Sequence, residues 1–120
     1  MLSEDNLINQ KYILSFLEGA GHSVSLAENG TEVLSLLKEN RYDVILMDVQ
    51  MPEMDGMETA RRIRSGEAGE RNESIPIAAL TAYAMKNDRK KFLEAGMNEV
   101  IIKPVKKDIL NSRIAALMKR

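Results

Sequence analysis

Five polar residues of this sequence have the types to do chemistry together: Glu4, Asp5, Asp48, Thr81 and Lys103. Each stands where an apolar run stops, after Met1-Leu2, Val44 to Met47, Ile75 to Leu80, or Val100 to Ile102. Brought to one place, the three carboxylates would repel one another unless a hard divalent cation or a buried ammonium held them. Magnesium suits such a set, because it prefers oxygen and takes one or two carboxylates together with waters and a phosphate. A lysine ammonium is a compact point charge that can hold a phosphoryl oxygen, and a threonine hydroxyl can bond another. This is the equipment of phosphoryl transfer onto an aspartate. Taken singly, each residue has a plainer reading. Glu4-Asp5 would cap a helix, Asp48 a turn and Thr81 a helix start, while Lys103 would be solvated. Only a shared location separates the two readings.

The elements that would have to position these residues show two alternating periodicities. Leu7, Ile8, Tyr12, Ile13, Phe16 and Leu17 have helical spacing, ended by Gly19 and Gly21. His22 to Ala27 alternates with period two, placing Val24 and Leu26 on one face of a half-buried strand. Asn29-Gly30 is a turn signal, and Thr31 is read as the cap of a helix to Glu39 with Val33, Leu34 and Leu37 inward. Tyr42 to Met47 is apolar except for Asp43, as expected of a strand covered on both faces. A helix follows Gly56 to Arg64, and Ser65 to Ser74 reads as an exposed polar loop. Ile75 to Thr81 is the next strand, with Pro76 tolerable only at its start. Asn87 to Ala95 is helical and closed by Gly96. Glu99 to Lys103 is a buried strand stopped by Pro104, and Lys106 to Lys119 is a last helix packing Ile109, Leu110, Ile114 and Leu117.

Apolar strands alternating with amphipathic helices predict an α/β fold with a parallel sheet covered on both faces. Right-handed crossovers put every strand's carboxyl end on one edge, where ligand sites of such folds lie. All five polar residues fall on that edge, which favours the chemical reading.

The stretches EDNLINQ, AENG, DVILMDVQMPEMDGMETARRIR, IPIAALTAYAM and EAGMNEVIIKPV together resemble the receiver domains of two-component response regulators. The likeness is greatest to receivers of hybrid sensor histidine kinases and covers nearly the whole chain. It implies a flavodoxin-like, doubly wound sheet of five strands in the order 2-1-3-4-5, the order the general rules of doubly wound folds already associate with this family. It also implies that Asp48 is the phosphoacceptor and that Lys103 binds a phosphoryl oxygen. Asp5, Asp48 and the Gln50 backbone carbonyl would ligate magnesium or manganese, with Glu4 acting through water. Thr81 and Tyr83 would be the switch pair, and the Lys103-Pro104 bond would be cis. The implied function is a cytoplasmic signalling switch phosphorylated by a histidine kinase or histidine phosphotransfer domain. As an isolated domain it would not be a turnover enzyme. The alternative is a receiver-like constitutive binding module that is never phosphorylated. Because only Met1 to Ser3 precede Glu4, the first strand is expected to be stunted, at two to four residues. The 120 residues would then be one receiver domain cut from a longer protein, with self-association through the exposed gap.

Other readings fare worse. Phosphatases that work through an aspartyl-phosphate carry a second aspartate two residues after the nucleophile; here that position is Gln50, which cannot act as an acid. An EF-hand registered on Gly56 would need ligands at Met51 and Arg62. No glycine-rich phosphate loop occurs. With 17 basic and 18 acidic residues, no cysteine and no apolar run long enough for a membrane span, nucleic-acid binding, a disulfide framework and membrane insertion are not expected. His22, the one histidine, is read as solvated or capping. The basic stretch Lys86, Arg89, Lys90 and Lys91 is read as a solvated helix face with a docking role left open.

Overall fold

The computed structural model describes residues 1–4, 6–49, 54–82 and 86–118. Strands β1 (Leu2–Ser3), β2 (Leu26–Ala27), β3 (Ile45–Asp48), β4 (Ile77–Thr81) and β5 (Glu99–Ile102) alternate with helices α1 (Leu7–Gly19), α2 (Gly30–Glu39), α3 (Gly56–Arg64), α4 (Lys86–Glu94) and α5 (Lys107–Met118). All ladders are parallel and the strand order is β2-β1-β3-β4-β5, as expected. The first strand is two residues long.

Strand alternation divides the core into two layers. Ile45, Met47, Ile77 and Ala79 pack with Val33, Leu37, Ala60 and Ile63 of α2 and α3, and with Phe92 of α4. Leu2, Leu46, Ala78 and Leu80 pack with Ile13 and Leu17 of α1 and with Leu110, Ile114 and Leu117 of α5. Each fully buried leucine or isoleucine contributes roughly 1.5–3 kcal/mol of transfer free energy, so both faces drive the same sheet. No helix among the described residues is long and apolar enough to cross a membrane.

Several local expectations are corrected. The ladder of β2 starts at Leu26 rather than His22, because β1 offers partners only to Leu26 and Ala27. β3 likewise begins at Ile45, opposite the first residue of β4, and includes Asp48. The cap of α2 is Asn29, whose side chain accepts from the Glu32 N–H while Glu32 accepts from the Glu28 N–H. That reciprocal pair leaves Thr31 inside the helix. Ile109 is exposed, since α5 turns Leu110 and not its neighbour inward. In α1 the inward face is Gln10, Ile13 and Leu17, while Leu7, Ile8 and Tyr12 point out.

The stretch Ser65 to Ser74 is not a free loop. Ala68 and Asn72 are buried around a single 3-10 turn, Glu70–Asn72. Asn72 Nδ2 donates to the Leu37 carbonyl at 2.9 Å, and Arg71 donates to the carbonyls of Leu37 and Asn40 at 3.3 and 3.1 Å. These donors satisfy carbonyls left open at the end of α2.

Candidate active site

Three strands deliver charged side chains to the carboxyl edge. β1 runs through buried Leu2 and Ser3 into Glu4, which is fully buried. Asn6, not Glu4, caps α1: its side chain accepts from the Asn9 N–H at 3.1 Å. Glu4 is therefore available to the site, although the plain reading had made the acidic pair a cap. Its backbone is fixed from both sides, the N–H bonded to the Ala27 carbonyl and the carbonyl accepting from Gln10 Nε2.

β3 ends at Asp48, which is almost completely buried, and β5 runs out into Lys103. The Lys103 ammonium lies 3.0 Å from Asp48 Oδ2 and 3.3 Å from Glu4 Oε1, joining side chains 55 and 99 residues away. Thr81 closes β4, is buried, and its carbonyl accepts the Lys103 N–H at 2.8 Å. Because Asp48 is in register with Leu80, Thr81 sits one step further along the same edge. The Lys103-Pro104 peptide bond is cis. Glu4, Asp48, Thr81 and Lys103 are thus brought to one edge. Asp5, Gln50 and Tyr83 lie outside the described residues.

One ammonium faces two carboxylates in a place nearly closed to water, and the electrostatics follow. Burial, with Asp48 alongside, pushes the Glu4 carboxyl up to about 7. Burial works against the Lys103 ammonium, but the Asp48 and Glu4 carboxylates outweigh it and hold Lys103 above the usual lysine value. Glu4 Oε2 is buried without a hydrogen-bond partner among the described residues. An oxygen in that state, with a second carboxylate beside it, suits a hard cation. No group of three or more carboxylates or histidines closes into a cage among the described residues.

Two residues matter here that spacing did not single out as part of the site. Gln10 holds the Glu4 carbonyl, and helical spacing gives no sign of it, because its neighbours Asn9 and Lys11 are polar too. Gly56 reads as no more than the start of a helix, yet a Cβ there would stand 2.5 Å from the Asp48 carbonyl oxygen. Its N–H closes the loop after β3 onto the Val49 carbonyl at 2.9 Å, and Asp55 caps α3 by accepting from the Glu58 N–H. Glycine is required because backbone passes against backbone at the base of Asp48.

Fold and site define a class, a doubly wound domain presenting a buried acid and lysine cluster at the carboxyl edge of its sheet. The model of the response regulator receiver domain matches residues 1–115, and the chain belongs to that family. It is 41% identical over 115 residues to hybrid signal transduction histidine kinase I of Dictyostelium discoideum, covering 92% of this chain and 7% of that protein. The chain spans between 6% and 11% of the length of the first hybrid and sensor kinases it matches. Among solved structures, the receiver domain of a sensor histidine kinase from Pseudomonas aeruginosa, with magnesium coordinated in its active site cleft, superposes with a TM-score of 0.90 at 37% identity, covering 99% of this chain and 95% of that one. A Saccharomyces cerevisiae receiver domain co-crystallised with a histidine phosphotransfer protein superposes with a TM-score of 0.88 at 34% identity, covering 98% and 86%.

Proposed function

We propose that this domain is a cytoplasmic, phosphorylation-dependent signalling switch in which Asp48 accepts a phosphoryl group from a phosphohistidine. The observation that carries the reading is the Lys103 ammonium held between Asp48 and Glu4, three side chains from three strand ends. A carboxylate oxygen of Asp48 attacks phosphorus, the phosphorus–nitrogen bond of the donor breaks, and the imidazole leaves with the electron pair. The product is an acyl phosphate. Its formation removes the Asp48 negative charge, so the Lys103 ammonium is left beside the phosphoryl oxygens and steadies them. Asp48, with Asp5 and the Gln50 carbonyl from the family resemblance, would hold magnesium or manganese, and Glu4 would act through water. When bound, such an ion would offset charge on the phosphoryl oxygens. Thr81, at the neighbouring strand end, would follow the phosphoryl group and Tyr83 would turn with it. Gln50 stands where phosphatases that work through an aspartyl-phosphate carry an acid, which supports a lasting acyl phosphate rather than turnover.

The donor would be a histidine kinase or histidine phosphotransfer domain. α1 begins just after Glu4 and turns Leu7, Ile8 and Tyr12 out at 62%, 79% and 48% exposure, with the Tyr12 and Phe16 rings in contact at 4.6 Å. Such a stripe suits a helix of the donor. Like the receivers inside hybrid kinases, this one would act as part of a longer protein. With acetyl phosphate and magnesium, intact-mass spectrometry should show one added phosphoryl group that hydroxylamine removes. Equal labelling of Asp48→Asn would refute the assignment.

A further inference from the structure

Gln10 is the one buried polar residue of α1, on the inner face with Ile13 and Leu17. Its side chain crosses to the end of β1, where Nε2 donates to the Glu4 carbonyl in a buried contact. Its backbone N–H donates to the Asn6 carbonyl at 2.9 Å. One residue of the helix thus grips the carbonyls of Glu4 and Asn6 together.

The ladder explains why a side chain is needed there. In a parallel sheet the N–H and the carbonyl of one residue turn toward the same neighbouring strand. The Glu4 N–H bonds the Ala27 carbonyl of β2 at 3.0 Å, so the Glu4 carbonyl faces β2 as well. But β2 ends at Ala27, and the chain turns at Asn29 to cap α2. Gln10 supplies the donor that a further ladder residue would have given.

Glu4 is therefore held at both of its backbone groups, which sets where its carboxyl group can reach. Oε1 lies 3.3 Å from the Lys103 ammonium, and Oε2 is buried without a partner among the described residues. A buried carbonyl deprived of its donor is costly and turns to find another. The Glu4 carboxyl group would turn with it and leave the Lys103 and Asp48 cluster misaligned.

We propose that Gln10 is a positioning residue for the acid cluster, a role that rests on the reading of Asp48 as a magnesium-dependent phosphoacceptor. Acting through the Glu4 carbonyl, it fixes the arrangement in which the cluster meets the metal. Such supporting contacts govern metal affinity without touching the ion.

Two variants and one control test this. Gln10→Met keeps the length and the apolar stem but has no donor, and Gln10→Asn keeps the amide on a stem one carbon shorter. Ile13→Val trims the same buried face of α1 and offers nothing to the Glu4 carbonyl. Magnesium affinity is read by calorimetric titration, and labelling by acetyl phosphate is followed at limiting and at saturating magnesium. Both Gln10 variants are expected to bind magnesium about tenfold more weakly and to label slowly at limiting magnesium, with most of the rate returning at saturation. Ile13→Val should melt lower yet bind magnesium like the unaltered chain. Unchanged affinity in the Gln10 variants, or an equal loss in Ile13→Val, would overturn the proposal and leave the phosphoacceptor reading standing. An unaltered chain that neither binds magnesium nor takes up a phosphoryl group would overturn both.

Discussion

At Glu4 burial works hardest against charge, because its carboxyl group shares the Lys103 ammonium with Asp48. Its carboxyl group is raised from 4.5 to about 7, so the folded chain holds a proton that the unfolded chain releases. Stability therefore falls as pH rises from about 4.5 to 7 in metal-free buffer. Glu4→Gln should remove that fall, melting several degrees higher at pH 8 and gaining less from added magnesium. Lys103→Ala acts the other way: two buried carboxylates lose their cation. At pH 8 it should cost about 2–4 kcal/mol, with part recovered at pH 5 or on adding magnesium, as chemical denaturation at the two pH values would show. The exposed stripe is tested at the same scale. Ile8→Asp should slow transfer from a phosphohistidine protein at least tenfold and leave labelling by acetyl phosphate unchanged. Similar slowing with both donors would place Ile8 in folding rather than docking.

Among the elements, α3 and the loop before it set the base of the site. Gly56→Ala drives a methyl group into the Asp48 carbonyl oxygen, which backbone cannot move aside cheaply. The expected result is a loss of about 2 kcal/mol or more in stability together with slower phosphorylation, read by denaturant melts and intact-mass time courses. At its far end α3 carries Arg64, which donates to the Gly96 carbonyl, the Glu73 carbonyl and Asn98 Oδ1 at 2.8–2.9 Å. How much of this was legible differs by kind of signal. Abrupt ends of apolar runs located β3, β4 and β5 and, with them, Asp48, Thr81 and Lys103, because a strand buried on both faces has to stop where a charge begins. Helical spacing revealed α1 but not its orientation. Ile8 and Tyr12 repeat as regularly as Ile13 and Leu17, and only the need to bond the Glu4 carbonyl turns Gln10 inward. Asn29 and Thr31 are both good caps, and the Glu32 side chain reaching back to Glu28 decides between them. Arg64 stands among other charges of α3, and its Gly96 and Asn98 partners, 32 and 34 residues away, leave no local trace.

Across the whole molecule, the two edges of the sheet can be tested separately. Thr81 and Lys103 share a backbone hydrogen bond, so drawing the threonine toward a phosphoryl group also pulls on β5. A few kcal/mol of differential contact is enough to shift such an equilibrium. With beryllofluoride and magnesium, NMR resonances should move from Thr81 through Lys107. Changes confined to the loop after β3 would rule out this route. At the opposite edge the amine of Met1 titrates as well as Glu4 does at the site. Burial lowers the Met1 ammonium from 8.0 to about 6 against the pull of Asp43, while Arg41 and His22 line a cleft with it. Between pH 6 and 8 the unfolded chain binds a proton that the folded one does not. The amine by itself should therefore add up to about 3 kcal/mol across that interval, opposed below pH 7 by the Glu4 fall, and acetylating it should remove that contribution.

The capped end of α2 has a consequence for anyone altering this domain. By composition, Ser65 to Ser74 is the obvious place to insert a tag or a reporter, and Arg71 an obvious cut for trypsin. Yet Arg71 and Asn72 stopper the open carbonyls of α2, and Ala68 is shut beneath them. A graft between Ala68 and Asn72 would unstopper a helix that packs on the central sheet. The native peptide bond after Arg71 should resist digestion for as long as that helix stays folded.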